Sequence, residues 1–204
     1  MVYDIYLTNQ DRKMKALART LLLTTALIGV PAFAAVELKG AKFEDTYQVA
    51  SQTLQLNGAG VRVKFIVDVY AAGLYLPKKD GNAASAVAQS GPKGVKIVLL
   101  RDLTGEDFAE AMVKGFKNNN SDADVTRMQP KLDALRSLML SFGSVKKGTS
   151  IHFDYAPATG TRILVDGKQR GSDIAGEDFY QAVLRIWLGN SPVDSDLKKD
   201  MLGK

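Results

Sequence analysis

Few side chains in this sequence are equipped for chemistry. His152 is the only histidine and there is no cysteine. A zinc site, which draws on several His and Cys ligands, therefore has no ligand set, and a thiolate nucleophile is excluded. His152 falls in a β-rich stretch, 149–155, where Ile151, Phe153 and Tyr155 point one way. His152 and Asp154 then point the other way and are expected to face solvent. No partner motif of a serine triad accompanies them. Gly58-Ala59-Gly60 lacks the third glycine and the helix of a dinucleotide fingerprint, so it is expected to be a bend or bulge. Asp122 and Asp124 share only composition with a calcium loop, because its glycine and distal glutamate are missing. No cofactor and no metal is implied. Arg62 remains, alternating with Val61 and Val63 on a strand-like segment. Such a guanidinium either points to solvent or, set in an apolar cleft, grips a carboxylate in bidentate fashion.

The elements that would position these groups follow from periodicity. Residues 53–57 alternate polar and apolar, and 61–65 resume the alternation after the glycines. The run 66–76, rich in Val and Tyr and closed by Pro77, suits a central strand. A short helix is expected over 83–88 and a strand over 94–100. Thr104 can cap a helix whose first turn holds Glu106 and Asp107, with Phe108, Met112 and Phe116 as its apolar set. A second helix is expected to begin near Pro130, carry Leu132, Leu135, Leu138, Met139 and Phe142, and stop at Gly143. Strands over 149–155 and 161–165 flank a turn with Pro157 and Gly160, and Asp166-Gly167 signals a further hairpin. A last main helix, about 177–188, aligns Phe179, Val183, Ile186 and Trp187. Strands, helices, strands, helix in that order predict an α+β domain with a largely antiparallel sheet. The helical stripes are core, and they can also line a pocket between helices and sheet.

The N-terminus has the three parts of a secretory signal. Lys13, Lys15 and Arg19 form a basic region, 21–30 is apolar and uncharged, and Ala32-Phe33-Ala34 is a small-x-small cleavage signal. Met14 is the more natural start, so 1–13 reads as an upstream extension, 14–34 as the signal and 35–204 as the working domain. Cleavage is expected after Ala34 or Ala35, with the bacterial periplasm as destination. The apolar stretch is shorter than the roughly 20 residues that span a bilayer, and the mature part is expected to be soluble. Without cysteine a lipid anchor of the lipoprotein type is excluded. The whole chain carries +5; residues 1–34 hold four Lys/Arg and two Asp/Glu, leaving +3 for the rest. Lys146-Lys147 and Lys198-Lys199 are not interleaved with aromatics, so nucleic acid is not an expected partner.

Gly58-Ala59-Gly60-Val61-Arg62, followed by the run from Phe65 to Leu76, resembles the chalcone isomerase superfamily, and specifically its bacterial, exported chalcone-isomerase-like members. Leu103-Thr104-Gly105-Glu106-Asp107-Phe108 and the helix ending Trp187-Leu188-Gly189 extend the resemblance in the right order. It implies an open-faced β-sandwich with a large antiparallel sheet, helices against one face, and a cleft between them. In the plant enzymes an arginine polarises a ketone during intramolecular ring closure, an electrostatic stabilisation of the developing enolate. The motif places that arginine at Arg62. The threonine that assists it falls on Tyr70, a tyrosine and an asparagine of the next helix fall on Phe108 and Gly115, and a later threonine falls near Ile186.

Phe108 cannot donate the tyrosine's hydrogen bond and Gly115 has no side chain, so chalcone cyclisation is not expected. Fatty-acid-binding relatives use the arginine, helped by a tyrosine, to hold a carboxylate, and Arg62 with Tyr70 suits that arrangement. The resemblance thus implies a ligand site of Arg62, Tyr70, Phe108, Met112, Ile186 and Trp187 for a small apolar carboxylate. Two other readings stay open. One is an isomerase, an intramolecular lyase acting on an enone-type carbonyl compound with Arg62 as catalytic electrophile. The other is an interaction module whose cleft is filled by its own side chains.

Overall fold

Alternation of polar and apolar side chains underlies the antiparallel strands of this chain. The structure, a computed structural model, describes residues 35–204. The expected extension (1–13) and signal (14–34) lie outside the described residues. The elements are β1 (Ala35–Leu38), β2 (Ala41–Glu44), β3 (Thr46–Val49), β4 (Gln52–Lys64), β5 (Val67–Leu76), α1 (Ala83–Ala88), β6 (Lys93–Leu99) and β7 (Leu103–Thr104). They continue with α2 (Gly105–Asn118), α3 (Asp122–Leu140), β8 (Ser144–Val145), β9 (Ser150–Ala156), β10 (Gly160–Val165), β11 (Lys168–Ile174), α4 (Glu177–Leu188) and α5 (Ser195–Met201). Seven strands form one antiparallel sheet in the order β11-β10-β9-β6-β5-β4-β3, so the fold is α+β as its element order implied.

The sheet buries apolar side chains on both faces. Tyr70, Leu74, Ile97 and Phe153 point to the helices and join Phe116, Leu135, Phe179 and Trp187 in the main core. On the opposite face Leu54, Leu56, Ala71 and Tyr75 pack with Ala41 and Phe43 of the β1–β2 hairpin. The sheet curls enough that its edge strand β3 reaches over β9. Tyr47 of β3 donates its hydroxyl to Asp154 Oδ2 at 2.7 Å and lies 2.9 Å from His152 Nδ1. The expectation that His152 and Asp154 face solvent is therefore corrected. Curling brings a tyrosine over them, and Asp154 is only 7% exposed.

At Gly58-Ala59-Gly60 the expected bend is absent, since strand β4 continues to Lys64, while the expected bulge is present one residue earlier, at Asn57. The glycines themselves serve a close approach. A Cβ on Gly58 would stand 2.1 Å from the Asp200 carbonyl oxygen of α5, and one on Gly60 would collide with the Asp200 side chain. The chain's last helix, which the periodicity did not indicate, lies directly on this bare strand.

Helix α2 is capped as expected, with Thr104 Oγ1 accepting from Asp107 N at 3.0 Å. Helix α3 starts eight residues earlier than Pro130 suggested. Ser121 Oγ accepts from Asp124 N at 3.1 Å, and that side-chain cap outweighs the proline, which sits inside the helix. Pro130 removes one N–H from the ladder at a solvent-exposed position, where water can satisfy the freed carbonyl. Asp122 and Asp124 thus open a helix. Asp166 and Gly167 both have positive φ and turn β10 into β11.

Candidate functional site

A one-residue bulge decides which way Arg62 points. Leu54 and Leu56 face the β1–β2 side, so strict alternation would send every even residue of β4 there, Arg62 included. The β4–β5 register slips between Leu56 and Gly58, leaving Asn57 as an extra residue. After the slip, Ala59 and Val61 face the β1–β2 side. Gly58, Gly60 and Arg62 then face the helices. That same register pairs Arg62 with Tyr70, and a second slip beyond it, between Arg62 and Val63, leaves Val69 extra on β5. Asn57 is 7% exposed and held by three hydrogen bonds. Its Nδ2 donates to Met201 O at 2.8 Å and Asp80 O at 3.1 Å, and its Oδ1 accepts from Asp80 N at 2.6 Å. The only signal of Asn57 in the sequence is its place as the polar residue ending an alternating run just before two glycines.

The Arg62 guanidinium carbon lies 5.4 Å from the centre of the Tyr70 ring, a cation–π distance. Tyr70 is 3% exposed, and its hydroxyl accepts the indole N–H of Trp187 at 3.0 Å. Burial raises the Tyr70 hydroxyl above its ordinary pKa, opposed by the Arg62 charge and the Trp187 bond, so it stays a neutral phenol. Among the described residues Arg62 forms no ion pair, and its Nε is buried without a hydrogen-bond partner. Asp194, whose charge reaches Tyr70, is engaged elsewhere. It accepts from Val63 N at 2.9 Å and caps α5 through the backbone N–H groups of Asp196 and Leu197.

Arg62 borders a cleft of about 600 Å³ between the β4–β5 end and α2. Its apolar lining includes Val69, Leu103, Phe108, Ala111 and Val193, and its charges are Arg62, Lys64, Arg101 and Lys114 against Asp107 and Glu110. The cleft is thus an amphipathic groove with a cationic excess.

Of the residues singled out by resemblance, Arg62 and Phe108 line this cleft. Tyr70 and Trp187 lie one layer deeper and reach it through Arg62. Met112 and Ile186 are 4% and 1% exposed, packed in the main core and not on the cleft wall. Lys64, Arg101 and Lys114, which complete the cationic rim, were not singled out; their wide spacing in the sequence gave no motif. Gly115 and Ile186, two positions where the isomerases carry polar groups, touch each other. A Cβ on Gly115 would stand 2.8 Å from Ile186 Cγ2, so the bare glycine is what lets α4 close against α2. Among the described residues no group of three His, Asp or Glu side chains is placed to hold a metal ion. No described helix is long and apolar enough to cross a membrane.

Comparison with known proteins agrees with the fold. The crystal structure of the fatty-acid binding protein AtFAP1 of Arabidopsis thaliana superposes with a TM-score of 0.63 at 18% sequence identity, over 83% of this chain and 96% of that one. None of the curated proteins matches the chain. A family model described as chalcone isomerase-like matches residues 35–203. The matched span leads to one conclusion: this chain belongs to the chalcone isomerase-like family.

Proposed function

We propose that the protein binds a small apolar carboxylate, such as a fatty acid, without transforming it, and that it does so in the bacterial periplasm after export. The observation that carries this reading is Arg62. It is a guanidinium held against Tyr70, with a buried, unpartnered Nε and no carboxylate partner among the described residues, at the wall of an amphipathic cleft. A carboxylate bound in the cleft would give the guanidinium a charged partner in charge-assisted hydrogen bonds. The ligand's chain would lie along Val69, Leu103 and Phe108. Support also comes from AtFAP1, a fatty-acid binding protein by its description and a structural neighbour. The isomerase reading has less behind it. Phe108, Gly115 and Ile186 offer no side-chain hydrogen-bond donor where the enzymes' polar set would stand.

Native mass spectrometry of the protein expressed from the full chain tests this. Wild type is expected to retain or take up oleate, and Arg62→Ala to bind it about 10- to 100-fold more weakly, the range for a hydrogen bond to a charged group. Equal oleate binding by both proteins, or none by either, overturns the reading. The same spectra report the mature mass, and a chain starting at Ala35 or Val36 is the expected outcome of export. Turnover of an enone substrate, lost in Arg62→Met, would favour the isomerase instead.

A further inference from the structure

Phe65 and Ile66 form the tip of the β4–β5 hairpin and are 92% and 93% exposed. Single exposed apolar residues are ordinary, but a contiguous group is not. Six large apolar side chains are exposed among the described residues, and four of them, Val63, Phe65, Ile66 and Val67, belong to this tip. Turn chemistry does not account for Phe65. Its φ is +60°, a conformation for which a two-residue hairpin loop ordinarily uses glycine or asparagine. Of the four described non-glycine residues with positive φ, Lys39, Ala50, Phe65 and Asp166, only Phe65 is large and apolar. The fold therefore accepts an unfavourable residue at an exposed hairpin tip.

The surrounding charge indicates the partner. Lys64 sits between Val63 and Phe65, and with Arg62, Arg101 and Lys114 it borders the adjoining cleft, where Asp107 and Glu110 are the only acids. Asp68, the acid nearest the tip in sequence, is paired with Lys39 at 3.3 Å. Apolar side chains projecting from a basic collar suit the boundary of an anionic bilayer, with the apolar groups among the acyl chains and the cations among the headgroups. We propose that the β4–β5 tip docks this protein on an anionic lipid bilayer, inserting Phe65 and Ile66 with Lys64 at headgroup level. Because Lys64 and Val69 on either side of the tip also line the cleft, docking would turn the cleft mouth toward the membrane. That such an orientation serves ligand exchange rests on the carboxylate-binding reading; the docking itself does not.

Flotation with vesicles of phosphatidylglycerol or of phosphatidylcholine, in the absence of fatty acid, tests this. Wild type is expected to float with the anionic vesicles and not with the zwitterionic ones, and added salt should weaken the association. Phe65→Asn/Ile66→Ser removes the apolar tip while asparagine tolerates the positive φ. It should lower vesicle affinity by about tenfold or more, since each inserted side chain contributes an appreciable transfer free energy. It should also keep the wild-type thermal melt and the wild-type oleate binding in solution. Lys64→Glu should weaken flotation without touching the apolar tip. Failure of wild type to float, equal flotation with both lipids, or unchanged flotation of the Phe65→Asn/Ile66→Ser protein overturns the proposal, and leaves the tip to a protein partner. Tip-dependent flotation with no oleate binding would overturn the carboxylate reading and leave docking standing.

Discussion

Trp187 of α4 donates its indole N–H to the Tyr70 hydroxyl at 3.0 Å, joining two residues 117 positions apart beneath the Arg62 guanidinium. Arg62 thus rests on a ring whose own position is fixed from the far side by the C-terminal main helix. The strand, the cation and the helix form one stack, and the cleft wall depends on all three.

Replacing Trp187 with Phe keeps most of the apolar volume and removes the donor. The Tyr70 hydroxyl, fully buried, then loses its partner, at a cost of about 1–3 kcal/mol. Tyr70→Phe in the same background should restore part of that loss, because both polar groups are gone. Urea denaturation of the two single variants and the double variant checks this. Additive destabilisation would mean the bond contributes nothing to stability.

Asn57→Ala should cost about 2–4 kcal/mol, because two backbone carbonyls and one N–H lose their partner at a buried site. Its second effect is on function. Asn57 is the extra residue whose bulge turns Arg62 toward the helices, so oleate affinity should fall along with stability. A stable Asn57→Ala protein with undiminished oleate binding would show that the bulge holds without its side-chain bonds.

Neither glycine ahead of Arg62 should tolerate a methyl group. At Gly58 the obstacle is the Asp200 backbone carbonyl, which cannot move without shifting α5. At Gly60 it is the Asp200 side chain, whose Cβ, 2.5 Å away, is fixed by the α5 backbone and is not moved by side-chain rotation. Gly58→Ala and Gly60→Ala are each expected to destabilise by about 2 kcal/mol or more. Thermal melts of the two variants check this, and an unchanged melt would remove α5 as the obstacle at that position.

The pair covered by Tyr47 should give a compensated pH profile. Burial pushes the Asp154 carboxyl up to about 7, opposed by the Tyr47 hydrogen bond and the Arg162 charge. Burial and Lys96 pull His152 down to about 4, opposed by Glu44 and Asp166. Between the ordinary Asp pKa of 3.8 and about 7, folded Asp154 keeps a proton that the unfolded chain has lost, so its contribution falls as pH rises. Between about 4 and the ordinary His value of 6.5, the unfolded chain binds the proton that folded His152 refuses, so that contribution rises with pH. The two slopes oppose each other. Asp154→Asn should expose the His152 slope, with stability rising by about 2–3 kcal/mol from pH 4 to 6.5 relative to wild type. Urea midpoints across that range measure it, and superimposable profiles would sink the account.

Several features of this molecule were readable directly from residue types. The alternation of 53–57 and 61–65, the cap at Thr104 and the apolar face of 177–188 act within a few residues of themselves, so local sequence carries them. The family motif around Arg62 was readable for the same reason. The sequence left the orientation of Arg62 open, wrongly turned His152 and Asp154 to solvent, and did not show why the glycine pair is bare. Each depends on a partner far along the chain. Asn57 needs Met201 and Asp80 to hold its bulge, His152 and Asp154 need Tyr47 carried over by the curl of the sheet, and Gly58 and Gly60 need Asp200. Pro130 shows the reverse case, where a strong local signal at an exposed position yielded to a nearby side-chain cap. Local sequence specified strands, caps and an arginine in a family motif. Only long-range packing decided that this arginine turns inward, finds no carboxylate among the described residues, and stands beside an exposed apolar hairpin tip, because a one-residue slip in register reverses every side chain that follows it.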